Sequence, residues 1–158
     1  MIFLFASWAN TTPADVIQKP VQVKISTDLY QDAQLAKQKA VPIVVMFSQD
    51  GCAYCGIVRE QFLKPMLRSG DYDNKALIRE VKIDSFEDVR NFDGKRIPSD
   101  QLSTIYRAYL TPTVVIFDSK GRTHHRLLGI SNEYYYGGEL DDAIDRAYSY
   151  INRVAAKN

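Results

Sequence analysis

The chain has 158 residues, 46% of them hydrophobic and 25% charged, the balance of an ordinary globular protein that can bury a core in one domain. Its 20 lysines and arginines nearly match its 19 aspartates and glutamates, and a net charge of +1 argues against a nucleic-acid-binding protein, which would need a basic face. Only two cysteines are present, which excludes a small scaffold stapled by several disulfides.

The first residues form a short apolar run that looks like the end of a secretory signal. Ser7 and Ala9 supply the small residues before a cleavage point after Ala9, although the basic segment that usually opens such a signal is missing. We therefore expect residues 1–20 to be a signal remnant and leader arm, residues 21–158 to form the domain, and the protein to be exported, for example to a bacterial periplasm. A buried or disordered stub is the alternative. The run is too short to span a membrane, so no stable membrane insertion is expected.

The first half of the domain alternates strands with helices. Residues 21–25 alternate apolar and polar side chains, which predicts a short strand, and residues 29–39 show a helical pattern behind capping residues. Residues 42–47 are a β-branched run typical of a strand covered on both faces. The turn signal Asp50–Gly51 ends this strand, and a helix follows that Pro65 should bend or end.

The second half predicts a strand, a polar insertion, a helix, a hairpin and a final helix. Ser99 is the expected cap of the helix after the insertion, and Ser119–Gly121 marks the hairpin turn. The order β-α-β-α-β-α-β-β-α predicts the α/β class. The predicted strand spans 76–84, the insertion 85–98 and the following helix 99–109. The two strands of the hairpin span 113–118 and 122–128, and the final helix spans 138–154.

The two cysteines stand in the motif Cys52-Ala53-Tyr54-Cys55, at the predicted start of a helix. Two intervening residues let the first helical turn hold both sulfurs within bonding distance. Unpaired backbone N–H groups at a helix N-terminus favour an anion, so we expect Cys52 to be exposed, readily ionised and the attacking group. Cys55, one turn further along, is the expected buried resolving thiol.

Three other interpretations of this motif stay open. A zinc site needs four ligands, and His124 and His125, adjacent on a predicted strand, could supply at most one of them. A purely structural disulfide is the second alternative, although so small a loop gains little stability on closure. A pair of unreactive thiols is the third. The sequence favours a redox pair that works without a metal or cofactor.

Thr111–Pro112, directly before a predicted strand, is the second candidate element. X–Pro bonds can be cis at low cost, and a cis bond would lay the backbone N–H and C=O of Thr111 beside the reactive sulfur. Those groups could pair with an extended segment of substrate. An ordinary trans proline that begins a strand is the alternative.

The order of these elements and motifs resembles the thioredoxin superfamily over residues 21–152. The insertion Ser85–Pro98 and the tail Gly129–Leu140 are similar to those of SoxW-like exported thioredoxins. The resemblance implies a thioredoxin fold, with a central mixed sheet flanked by helices and an insertion between the third core strand and the following helix. The segments that carry it are 47–55, 82–84 and 111–118, with Gly121.

The resemblance also implies a role for each candidate site residue. It implies exchange with disulfide-containing protein clients and a thiol electron donor, and Pro112 as the cis proline. The expected catalytic residues are Cys52, Cys55, Pro112 and Glu80, and the expected substrate contacts are Thr111, Ala53 and Tyr54.

Departures from ordinary thioredoxin narrow the expected function. Gly51 stands where thioredoxin has tryptophan, and the tyrosine between the cysteines, with a threonine before the proline, is similar to bacterial disulfide isomerases and reductases. Those isomerases carry a separate dimerisation domain that residues 1–20 cannot supply. We therefore favour a monomeric reductant of protein disulfides. The alternatives are an isomerase-like protein or a peptide-binding chaperone module, for which the aromatic segments 86–92 and 134–136 could provide a surface.

Glu80 is the candidate proton acceptor for Cys55. Met46 stands where thioredoxins keep a buried aspartate, and matching residues 82–84 places Glu80 where they keep a lysine beside it. A partly desolvated carboxylate there should have a raised pKa and could take the proton directly or through water. A Glu80 that faces solvent is the alternative.

Overall fold

The computed structural model describes residues 20–157, and within that range the chain forms seven strands and five α-helices. The signal remnant expected at the N-terminus lies outside the described residues. The strands are β1 (Lys24–Ile25), β2 (Ile43–Ser48), β3 (Leu77–Lys82), β4 (Val89–Arg90), β5 (Arg96–Ile97), β6 (Thr113–Phe117) and β7 (Thr123–Leu128). The helices are α1 (Leu29–Lys39), α2 (Ala53–Ile57), α3 (Lys64–Ser69), α4 (Ser99–Ile105) and α5 (Glu133–Ala155), with a π-helical segment (Val58–Leu63) between α2 and α3.

Five strands form one mixed sheet in the order β1-β3-β2-β6-β7. The central strand β2 is parallel to β3 and antiparallel to β6, which pairs antiparallel with β7. All six residues of β2 are buried, as expected of an apolar run covered on both faces. The predicted α/β fold, with a central mixed sheet flanked by helices, is confirmed.

Helices cover both faces of this sheet. Val45 and Phe47 share one hydrophobic cluster with α1, α4 and the β4–β5 hairpin. Val44 and Met46 share the other with the π-helical segment, α3 and α5. Alternation along β2 thus sends neighbouring side chains into opposite layers. In the described part of the chain, no helix is long and apolar enough to cross a membrane.

The helix that carries the cysteine motif does not end at Pro65. It continues to Ser69 and stops before Gly70, whose φ of 79° lies in the left-handed region. The turns before the proline are π-helical, and the Lys64 N–H donates to the carbonyl of Arg59, five residues back. This wider winding accommodates a residue that has no N–H and whose ring would crowd the preceding turn of an α-helix.

The insertion is a folded hairpin rather than a polar loop. β4 and β5 pair antiparallel around a turn at Asp93–Gly94. The prediction that Ser99 caps the next helix is wrong, because its hydroxyl donates to the carbonyl of Glu87 in the insertion at 2.9 Å. The N-cap is Pro98, which makes no side-chain bond, and α4 ends at Ile105.

The last helix begins five residues before its predicted start. The side chain of Asn132 accepts the N–H of Tyr134 at 2.9 Å and so caps the helix. The first turns bury Tyr136, which is 1% exposed, and this burial compensates for two glycines inside the helix. One of them, Gly137, allows close packing, since a Cβ there would lie 3.4 Å from the ring of Phe62.

Phe92 fastens the insertion to the sheet. Its ring centroid lies 5.0 Å from that of Phe117 and 5.9 Å from that of Tyr106. Gly121, in the β6–β7 turn, lets the ring approach, because a Cβ there would come within 2.6 Å of the Phe92 ring. The insertion is therefore part of the core on the α1 side of the sheet.

Phe92→Ala is expected to lower the free energy of unfolding by about 3–5 kcal/mol, because removing a large buried ring leaves a cavity. Phe86→Ala is the matched control, since Phe86 lies in the same insertion but is fully exposed, and its change should stay within about 0.5 kcal/mol. Urea denaturation of both variants checks the difference. Similar losses in the two variants would contradict the packing role of Phe92.

Candidate active site

The two cysteines form a disulfide at the start of α2. Their sulfurs are 2.09 Å apart and their Cα atoms 5.3 Å apart. Cys52 is the N-cap residue, and its Sγ accepts the backbone N–H of Cys55 at 3.1 Å. Cys52 is half-buried, whereas Cys55 is 1% exposed. An incoming group can therefore reach the first sulfur more readily than the second.

The end of β2 positions this motif. Gly51 makes the turn between strand and helix with a φ of 71°, a left-handed conformation that favours glycine. The N–H of Asp50 donates to the carboxylate of Asp84 at 2.8 Å, which ties the turn to the end of β3. A cleft of about 340 Å³ opens there, lined by Gln49, Asp50, Gly51, Cys52, Ala53, Gly56, Arg59 and Lys82.

The second candidate element lies at the same edge of the sheet. The Thr111–Pro112 bond is cis and directly precedes β6, whose first residue Thr113 pairs with Phe47 near the end of β2. Pro112 is buried, and its carbonyl accepts the N–H of Gly129 at 2.8 Å. Within residues 20–157, no hydrogen bond occupies the backbone N–H or C=O of Thr111. Direct contact of Pro112 with Cys52 stays a prediction.

The residues expected to touch substrate are accessible. Ala53 and Tyr54, between the cysteines, are both exposed, and Thr111 is half-buried. The side chain of Tyr54 stands in solvent with 58% of its surface accessible. Their roles in substrate binding remain predictions.

Glu80 sits in a buried network below the motif helix. It is 2% exposed, and its two carboxylate oxygens accept both Nε and Nη2 of Arg59, at 2.8 and 2.6 Å. The hydroxyl of Ser48 donates to Oε1 of the same carboxylate at 2.5 Å. Arg59 comes from the π-helical segment and Ser48 from the end of β2, so three elements meet at one carboxylate.

The predicted raised pKa of Glu80 is wrong, and so is the alternative that it faces solvent. Burial by itself would raise the pKa of this carboxyl. The hydrogen bonds from Arg59 and Ser48, with the positive charges of Arg59 and Lys82, outweigh burial and hold the pKa below its ordinary value. A carboxylate stabilised in this way is a weak base, and its role as proton acceptor for Cys55 stays a prediction.

Sequence reasoning missed two members of this network, Arg59 and Ser48. Arg59 follows Cys55 by four residues, and that spacing places a side chain one helical turn from the resolving cysteine. Ser48 follows the Met46 position by two residues, which puts both on the same face of β2. Either spacing could have pointed to the network once Glu80 was suspected.

Two further charges stand at the cleft. Lys82 forms an ion pair with Asp50, whose side chain is largely exposed. Among the described residues, no three histidine, cysteine, aspartate or glutamate side chains are grouped so that they could hold a metal ion. The chemistry that this geometry supports directly is exchange at the sulfurs.

The fold and the site together define a thioredoxin-fold protein. Its features are a central mixed sheet, a Cys-x-x-Cys disulfide at the start of the helix after the central strand, and a cis proline at the same edge of the sheet. The chain belongs to the thioredoxin-like domain family, whose model matches residues 29–144. No curated protein sequence matches the chain closely enough to count as a relative.

Solved structures agree with this fold. DsbH oxidoreductase is 18% identical, with 88% of this chain and 95% of that one covered at a TM-score of 0.57. A thioredoxin h of poplar is 17% identical, with coverages of 79% and 98% and a TM-score of 0.55. Thioredoxin NaTrxh of Nicotiana alata is 16% identical, with coverages of 82% and 97% and a TM-score of 0.54. At these identities the likeness shows the fold alone.

After reduction, limiting iodoacetamide at mildly acidic pH should label Cys52 at least about tenfold faster than Cys55, since thiolate access decides the rate. Peptide mass spectrometry of the labelled protein measures both sites. Labelling in denaturant is the control, where the two rates should converge. Faster labelling of Cys55 in the folded protein would reverse the assigned roles.

Proposed function

We propose that this protein reduces disulfide bonds in client proteins by dithiol–disulfide exchange at Cys52 and Cys55. The observation that carries the proposal is the pairing of an accessible N-cap sulfur with a buried partner one turn away. Membership of the thioredoxin-like family supports thiol–disulfide chemistry in general. The direction, from protein thiols to client disulfide, is the part that experiment must establish.

The reaction balances without a cofactor. The Cys52 thiolate attacks one sulfur of the client disulfide, which forms a mixed disulfide and releases a client thiolate. Cys55 then loses its proton and attacks the Cys52 sulfur, which releases the second client thiolate. The client gains two electrons and, from water, two protons, while the protein is left with its Cys52–Cys55 disulfide. A thiol electron donor restores the dithiol by the same exchange in reverse.

The client segment is proposed to lie along the edge that holds Thr111 and Pro112. The N–H and C=O of Thr111 are available to pair with an extended chain as one more short strand. Tyr54 in α2 and Tyr109 and Leu110 before the cis bond are exposed, and could contact the side chains of the client. We propose that the protein is exported, because its apolar N-terminal run is similar to the end of a secretory signal, and that it acts as a monomer.

A second candidate function is peptide binding without turnover, with the cysteines kept oxidised. The observation in its favour is the exposure of Tyr134 and Tyr135 at the start of α5, 96% and 69%. Large exposed aromatic side chains often mark contact surfaces. An isomerase-like role would use the same cysteines and would differ in releasing the client with a rearranged disulfide.

The parent protein should accelerate the reduction of insulin by dithiothreitol, followed as turbidity, and Cys52→Ser should abolish the acceleration. In a separate reaction without dithiothreitol, Cys55→Ser that has been reduced and freed of reductant should attack insulin once and accumulate a mixed disulfide with the insulin chain, seen by mass spectrometry, because the resolving thiol is missing. Tyr134→Ala is the control for the peptide-binding alternative and should keep most of the rate. If insulin is reduced no faster with the parent protein than with dithiothreitol alone, the result would favour peptide binding without turnover.

A further inference from the structure

Arg59 links the buried carboxylate to the cleft at the disulfide. Its guanidinium bonds Glu80 through two nitrogens, yet the side chain keeps 25% of its surface exposed. The same residue lines the cleft that contains Cys52, and it follows Cys55 by one helical turn. One member of the ion pair, Glu80, is therefore buried, whereas the other, Arg59, is partly exposed and lines the cleft.

We propose that Arg59 is a positioning residue for the thiol chemistry, and that it fixes a positive charge beside the sulfur of Cys52. Glu80, whose carboxylate accepts the Ser48 hydroxyl, holds the guanidinium in place and partly offsets its charge. The proposal rests on the proposed function, since it concerns the thiolate that attacks the client. In this proposal the charged pair of Arg59 and Glu80 controls how readily the Cys52 thiolate forms.

The other charges at the cleft do not supply this effect as directly. Lys82 is as exposed as Arg59, but its partner Asp50 is 82% exposed, so this ion pair is open to water at its carboxylate. Glu60, the neighbour of Arg59 in sequence, pairs with Lys64 on the exposed side of the helix. Arg59 is thus the cation of the cleft wall whose partner is buried.

Burial of the carboxylate makes the pair effective. The bidentate geometry fixes the guanidinium plane, which a single flexible contact would not do. Little water surrounds Glu80, so the field of the pair is screened less than that of a surface ion pair. The two charges are placed unequally with respect to the sulfur, because Arg59 lines the cleft that contains Cys52, whereas Glu80 is buried and does not line it.

Two substitutions are therefore expected to change the ionisation of the Cys52 thiol in opposite directions. Arg59→Met removes the positive charge, so the Cys52 thiolate should form less readily whether Glu80 then stays charged or takes up a proton. Glu80→Gln removes the offsetting negative charge and leaves the guanidinium unbalanced, so the thiolate should form more readily. A merely structural ion pair would give both variants lower stability and no opposite shift.

The test measures the pH dependence of Cys52 alkylation, and of thiolate absorbance near 240 nm, in the reduced protein. At a fixed pH below the midpoint, we expect about threefold to tenfold slower alkylation in Arg59→Met and a similar acceleration in Glu80→Gln. The midpoints of the two pH profiles should move to higher and lower pH respectively. The double variant Arg59→Met/Glu80→Met, which removes both charges and fills the space with apolar groups, should lie between Arg59→Met and the parent, because it loses the net positive field without leaving a carboxylate unpaired.

Folding is checked on the oxidised proteins by thermal denaturation and far-ultraviolet circular dichroism. If a single variant does not fold, Arg59→Lys and Ser48→Ala take its place. Arg59→Lys keeps the charge but loses the bidentate contact, so its profile should shift in the same direction as that of Arg59→Met and by less. Ser48→Ala loosens the carboxylate and should shift the profile less than Glu80→Gln. Shifts of both single variants in one direction, or profiles that match the parent, would overturn the proposal. Alkylation needs no client, so this result stands apart from the insulin assay.

Discussion

The geometry of the site depends on the central strand β2, which is buried on both faces along its whole length and ends just before the cysteine motif. Six buried residues hold the strand at the centre of the sheet, between β3 and β6. Gly51 then turns the chain into the motif helix. Because β6 starts beside the end of β2, the same edge receives the Thr111–Pro112 bond. Strand order thus places the cysteine motif and the Thr111–Pro112 bond at the same edge of the sheet.

The buried charge under the motif helix follows from the same strand. Met46 on β2 lies directly opposite Glu80 on β3 in the sheet register. Compared with the thioredoxin pattern, the carboxylate has moved to the neighbouring strand, and the apolar Met46 packs into the core. A lone carboxylate at 2% exposure would cost several kcal/mol to keep charged, and Arg59 and Ser48 offset that cost. This different placement of the carboxylate affects how a proton can be transferred at the site, since a carboxylate that is paired with an arginine is a weak base.

Much of this fold follows from local pattern. The helix Leu29–Lys39 was predicted with both ends correct, because Asp28 caps it and apolar residues recur at helical spacing. The central strand and the cysteine motif were equally plain. Predictions failed where a tertiary contact overrode a local signal. The Ser99 hydroxyl bonds the insertion instead of its own helix, and burial of Tyr136 extends α5 through two glycines.

The sequence predicts the positions of the two cysteines and of the Thr-Pro step, but it does not predict the charge network around Glu80. The position of the motif at a helix N-terminus predicts an exposed Cys52 and a buried Cys55; the structure has Cys55 buried and Cys52 half-buried. The pKa of Glu80 could not be obtained from its strand position, because its direction depends on two partners from distant parts of the chain. Long-range pairing of this kind leaves no periodic signal in the sequence.

The central claim is that Cys52 and Cys55 cycle together between dithiol and disulfide. Equilibration with glutathione buffers of graded ratio, followed by acid quenching, thiol trapping and mass spectrometry, tests it most directly. The account predicts one transition in which both cysteines gain or lose reactivity together, with a two-electron dependence on the buffer ratio. A pair that stays oxidised across the whole range, or a stable glutathione adduct on a single cysteine, would contradict it.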